Sequence, residues 1–236
     1  MSDSTTEVGA RDLTVRWIVA CGVAEAIGMT AAATAAKSTQ LLSDRIGVNL
    51  GMAIALAVVG GIVEGAALGT AQAIVLVRLF RRLNVRRWVW VTTVIAGVGW
   101  AGASLPSAMS SDSESSAPPI ALIVLGALAL GAVMGILLGS AQAWVLDPVV
   151  DRARRWIVAS AAGWAPAMAV IFVGAGLPEA DWSFAAVAAA GALTGAVAGC
   201  VLGACTWYFV PALGHAPNRN TPSVGRRLRR RVGHSG

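Results

Sequence analysis

Histidine, cysteine and charge are all scarce in this chain, and each shortage excludes something. The 2 histidines, His215 and His234, both stand in the C-terminal tail, where two isolated imidazoles carry no catalytic weight. The 3 cysteines, Cys21, Cys200 and Cys205, lie inside apolar runs, where cysteine behaves as a small packing residue. Cys200 and Cys205 are five apart and do not share a helix face cleanly, so no disulfide framework or metal spacing can be read from them. Nothing resembles a nucleophile–base set or a phosphate-cradling loop, and the sequence implies no cofactor and no enzymatic activity. Charged residues make up 13% of the 236 positions against about a quarter in an ordinary soluble domain, too few for a polar coat.

What fills the chain instead is hydrophobic, 56% of it, in continuous runs of about 20 residues or more. A helix of roughly 20 apolar residues spans the ~30 Å hydrocarbon layer. Lipid requires every backbone N–H and C=O to be paired internally, which leaves helices or closed barrels. The runs are rich in Ala, Gly, Leu and Val without the two-residue alternation of barrel strands, so they read as helices. The expected fold is an all-α polytopic bundle of six transmembrane helices, at roughly 15–36, 48–78, 88–108, 118–146, 156–177 and 184–210. A polar cytoplasmic leader over 1–14 precedes them, and a basic, disordered cytoplasmic tail over 211–236 follows. Residues 17–36 end in small residues and so resemble a signal peptide. The acidic leader (Asp3, Glu7, Asp12) and the mid-segment Glu25 argue for a retained helix.

The net charge of +6 invites a nucleic-acid reading, but the positions of the basic residues argue otherwise. Arg11 and Arg16 precede the first span. Arg78, Arg81, Arg82, Arg86 and Arg87 follow the second, and Arg152, Arg154 and Arg155 follow the fourth. The tail holds Arg219 and the cluster Arg226, Arg227, Arg229, Arg230 and Arg231. Together these place 16 of the 18 basic residues on one side, leaving Lys37 and Arg45 opposite. Positive loops stay in the cytoplasm, so both termini are expected there, in an inner (plasma) membrane. The arginine cluster is expected to meet anionic lipid headgroups rather than nucleic acid.

Laid over one another, the spans are self-similar. Arg16-Trp17, Arg87-Trp88 and Arg155-Trp156 open the first, third and fifth. Gly61, Gly65, Gly69 and Gln72 in the second match Gly131, Gly135, Gly139 and Gln142 in the fourth. The sixth keeps Gly195, Gly199 and Gly203 but has Thr206 in place of the glutamine. This predicts three tandem, parallel two-helix repeats (about 15–78, 87–146 and 155–210) around a pseudo-threefold axis along the membrane normal. Glycines four apart line one face and let backbones approach closely, so the nine are assigned to helix packing. Trp17, Trp88 and Trp156 are assigned as interface anchors, rings in lipid and N–H groups in water. Gln72 and Gln142 fall beside the glycine face, within reach of hydrogen bonds across helices.

Two carboxyl groups stand inside the apolar runs, Glu25 and Glu64, with no Lys, Arg or His in any span to neutralise them. Each is then either a protonated acid or the holder of a cation. At 1.5 Å per residue, Glu25 lies roughly 13 Å above Arg16, Glu64 roughly 21 Å above Arg78 and Gln72 roughly 9 Å above it. Glu25 therefore falls between the other two in depth. Two functions follow. One is a non-enzymatic scaffold, sensor or accessory subunit that binds a lipid, a membrane-protein partner or a second copy of itself. The other is a small proton- or cation-linked transporter whose pathway is Glu25, Glu64, Gln72 and Gln142.

Overall fold

A computed structural model describes residues 3–47, 49–109 and 118–214; the arginine cluster of the tail lies outside the described residues. These fold into six α-helices and one 3-10 turn, with no strand among them. The helices are α1 (Asp3–Ile46), α2 (Leu50–Leu79), α3 (Val85–Met109), α4 (Ile120–Leu146), α5 (Arg155–Ala175) and α6 (Phe184–Phe209), with the short turn Val210–Leu213 after α6. Five of the six are long and apolar enough to cross a membrane. Among the described residues α3 is not one of the five: it opens with Arg86 and Arg87, and Trp88, Trp90, Thr92 and Thr93 follow within its first two turns or so.

The helix starts have local causes. Asn49 accepts a hydrogen bond from the Met52 amide at 2.9 Å, Asn84 from that of Arg87 at 3.0 Å, and Ser183 from that of Ala186 at 3.2 Å. Each satisfies one of the donors that a first helical turn leaves free.

α1 differs from expectation at both ends. It begins at Asp3, so most of the segment read as a separate polar leader is continuous with the first span, and it runs on through the polar stretch after Ala36. At 44 residues it is about 66 Å long, twice the hydrocarbon thickness. No proline interrupts it, and its hydroxyls fold back on their own backbone. Ser38 donates to the Thr34 carbonyl at 2.7 Å and Thr39 to that of Ala35 at 2.9 Å. The helix stops at Gly47, whose φ of 70° suits glycine and whose amide closes on the Ser43 carbonyl at 3.2 Å.

The helices stand in a ring in chain order, and α6 closes back onto α1. Three contacts dominate, α1 with α6, α4 with α5 and α2 with α3, while the α3–α4 seam is the slightest. All three close pairs are antiparallel and built on glycine. A Cβ on Gly65 would meet the Thr93 Cα at 2.7 Å, one on Gly135 the Ala161 Cα at 2.6 Å, and one on Gly203 the Ile18 Cα at 2.9 Å. Gly61, Gly69, Gly131, Gly139, Gly195 and Gly199 lie in the same contacts, against Trp100, Val89, Ala165, Ile157, Glu25 and Cys21 in turn. The glycine face of α2 thus turns to the helix that follows it rather than back to α1. The hairpin contact between α1 and α2 rests on Gly28 against Glu64 and Gly60 against Ala32.

Substitution should separate these glycines from one in open space. Gly135→Val should destabilise the folded protein by about 1–3 kcal/mol, because the added atoms collide with backbone. Gly126→Ala, where a Cβ meets nothing within 4 Å, should be neutral. Thermal unfolding in detergent is the check, and equal melting of the two variants would refute the close contact.

Candidate functional site

The interior has two levels. At the first, α1, α3 and α5, which are alternate members of the ring, each send a tryptophan inward. Trp17 and Trp88 are 0% exposed and Trp156 1%, with ring centroids 6.0 Å apart for Trp17–Trp156 and 5.7 Å for Trp88–Trp156, both edge to face. Side chains from three non-adjacent helices can meet only at the middle. The expectation that these rings anchor in lipid with wet N–H groups is therefore corrected. They face the bundle axis because each stands one turn before a residue of the packed face: Cys21, Thr92 or Ser160, all buried.

Two of their three N–H groups are bonded within the protein. Trp17 donates to the Thr206 hydroxyl at 3.0 Å and Trp156 to the Gln142 carbonyl oxygen at 2.7 Å. The Gln142 amide donates to the Thr92 hydroxyl at 2.9 Å and to the Gln72 carbonyl oxygen at 3.3 Å. The Gln72 amide points to the Cys21 sulfur at 3.9 Å. The Trp88 N–H meets no acceptor among the described residues. The two glutamines are thus tied to each other, to α3 and to α5, and they do not reach the space beyond.

The second level is a cavity of about 580 Å³. It begins beside Thr92, Leu68 and Leu138, next to the tryptophan–glutamine layer, and extends to Ala35, Ala53 and Ala175 toward the other end of the bundle. The wall is mostly aliphatic and aromatic, with the hydroxyls of Thr39, Thr92 and Ser104, and Glu64 is its one ionisable side chain among the described residues. Trp100 donates to Glu64 Oε2 at 2.6 Å. A second cavity of about 480 Å³ shares Met29, Ala32 and Trp100 with the first and carries Lys37, Gln40 and Glu179. Lys37 donates to the Ala180 carbonyl at 2.8 Å and to Gln40 at 3.2 Å, fixing the α5–α6 connection over this mouth.

Glu25 is 1% exposed, its Cβ facing Gly199 on α6, and neither carboxyl oxygen has a donor among the described residues. Glu64 packs against Gly28, three residues along α1, or about 4.5 Å on the helix axis from Glu25. The order in depth along α1 is Gln72 beside Cys21, then Glu25, then Glu64 beside Gly28. Of the four candidate pathway residues, Glu25 and Glu64 are neighbours, Gln72 and Gln142 belong to the sealed layer, and Glu64 lines the cavity.

Sequence reasoning did not single out Trp100. A signal existed: Thr92, Ala96 and Trp100 recur every four residues, the spacing of the Gly69, Gly65 and Gly61 that they meet on α2. No family model, curated protein or solved structure matches the chain.

The sealed layer makes a comparison possible between tryptophans of one type. Trp156→Phe strands a buried glutamine carbonyl, at a cost of about 1–3 kcal/mol, whereas Trp88→Phe removes an N–H that bonds nothing. Denaturant titration in mixed micelles should find Trp156→Phe the more destabilising by about 1 kcal/mol or more. The reverse ranking would dismantle the network as drawn.

Proposed function

We propose that this is a six-span integral membrane protein, built as three tandem two-helix repeats, that binds a small lipophilic molecule in its interior chamber and works as a sensor or accessory subunit rather than an enzyme. The chamber is the observation that carries the reading. Its volume of about 580 Å³ falls in the range of small-molecule sites, and its wall is apolar with a few converging polar groups. The buried tryptophan layer closes one end, and the second cavity, which carries Lys37, adjoins the chamber at Met29, Ala32 and Trp100.

A sixth crossing is supported by the course of α3. It runs antiparallel to α2 from Gly61 opposite Trp100 to Gly69 opposite Val89, along a stretch of α2 that is itself apolar enough to span. An even number of crossings puts both termini on one side, and the arginine distribution makes that side the cytoplasm of the inner membrane. The repeat is supported by the equivalent placement of Trp17, Trp88 and Trp156, and of the three glycine faces. The tail arginines are assigned to anionic headgroups, and occupancy of the chamber to recognition by a membrane partner or a second copy.

The donor-less Glu25 favours a second reading, a small proton- or cation-linked transporter. Liposomes loaded with a pH-sensitive dye decide between the two. Flux that Glu25→Gln and Glu64→Gln both abolish would establish transport, and no flux under any gradient would leave the binding role.

Two measurements test the main proposal. Native mass spectrometry from detergent should show one molecule bound per chain for at least one of 1-aminoadamantane, 1-adamantanol and 1-adamantanecarboxylate. Ala57→Trp, which fills part of the chamber, should remove it; binding of none of the three would defeat the chamber as a site. A green fluorescent protein fused to the C-terminus should fluoresce and a periplasmic phosphatase fused there should be inactive. The opposite pair of results would mean an odd number of crossings or an inverted bundle.

A further inference from the structure

We infer that the chamber's ligand is a compact lipophilic amine, its ammonium nitrogen held at Glu64, with the second carboxyl, Glu25, about one helical turn away in depth, and its apolar body against the alanine and methionine wall; this rests on the chamber-binding reading above. The case begins with what the interior has in excess. Two carboxyl groups sit on facing helices about one turn apart in depth. No Lys, Arg or His occurs within 17–36, 50–77, 88–109, 120–146, 156–175 or 184–209, so the charge available at this level is of one sign.

Donors to these two carboxyls are scarce among the described residues. An ionised carboxylate can only accept, and its two oxygens offer about four lone-pair sites. Among the described residues Glu64 receives one donor, from Trp100 at 2.6 Å, and Glu25 receives none on either oxygen. A ligand acid would add acceptors and a like charge. A neutral alcohol would supply a single donor and no charge. A primary ammonium supplies three donors and the missing positive charge, and charge-assisted hydrogen bonds of this kind are the strong ones.

The wall selects the rest of the molecule. A hard inorganic cation calls for six or more oxygen ligands or retained waters, and this wall is almost wholly aliphatic and aromatic. Trp100, Trp164 and Phe172 line it, and aromatic faces attract an organic cation. Met29 and Met134 line it as well, and their flexible thioethers conform to irregular apolar shapes.

The experiment uses the purified full-length chain in detergent, tritiated 1-aminoadamantane, and competition by unlabelled 1-adamantanol and 1-adamantanecarboxylate, which share the same cage. The amine should bind at least about tenfold more tightly than the alcohol, and the acid most weakly. Glu64→Gln should reduce amine affinity by at least about tenfold while leaving the alcohol unchanged, and Glu25→Gln should act in the same direction. Equal binding of all three, or a preference for the alcohol or the acid, would overturn the amine assignment and leave the chamber standing as a lipophile site. Binding of none would remove the chamber reading and this inference together. The ranking on the unaltered protein decides the matter even if a glutamine variant does not fold.

Discussion

Backbone against backbone, at distances that leave no room for a methyl group, is the contact from which the rest of this bundle follows. Lipid tails are as apolar as leucine, so helices in a bilayer gain little from hiding apolar side chains from one another, and close packing must hold them together. Glycine removes the side chain that would keep two backbones apart. Gly65 against Thr93, Gly135 against Ala161 and Gly203 against Ile18 show this on three helix pairs. Once those pairs are fixed, the rotation of α1, α3 and α5 is fixed with them, and so is the direction in which their tryptophans point. The α3–α4 seam, where Gly99 meets only the Met134 side chain and no backbone, is also the slightest contact in the ring.

The two levels of the interior show what that fixed geometry does with side-chain volume. At the first level three indoles meet on the axis and the space is full. Eight residues further along the same helices the occupants are Glu25, Ala96 and Trp164, and the filling becomes unequal. Ala96 lies against Gly65, and both line the chamber. The opening is therefore a local shortage of volume on the α2–α3 side of the axis, in a bundle whose helices are held too rigidly to collapse into it.

How far the sequence foretold this varies with the physical signal. The helices between α2 and α6 were legible within a few residues, because their lengths are set by the bilayer and their ends by Asn49, Asn84 and Ser183. The extent of α1 was not, since hydropathy marks where lipid is and says nothing about where a helix stops; Lys37 and Ser38 are polar yet fully compatible with helix. The depth order of Gln72, Glu25 and Glu64 could be counted from the arginines, because rise per residue is constant. The inward turn of Trp17, Trp88 and Trp156 could not. An Arg-Trp pair at a helix start points equally well to the lipid interface and to a core, and only the facing glycines, on helices distant in sequence, choose between them.

The fate of the two carboxyl groups then bears on what the bundle is for. A carboxyl kept as helix glue must hydrogen-bond across a helix interface, since that bond is what offsets the cost of placing it in a membrane. Glu64 meets this requirement through Trp100, and its retention needs no function. Glu25 does not. Its side chain faces Gly199, which offers no side-chain partner, and both of its oxygens lack a donor among the described residues, although glutamines a turn or two below are tied at both ends. Glu25 is thus the carboxyl whose helix contacts supply no bond to offset its cost, about one turn in depth from the Glu64 that lines the chamber. The ammonium ligand proposed for the chamber would bring to this depth the donors and the charge that the helices do not.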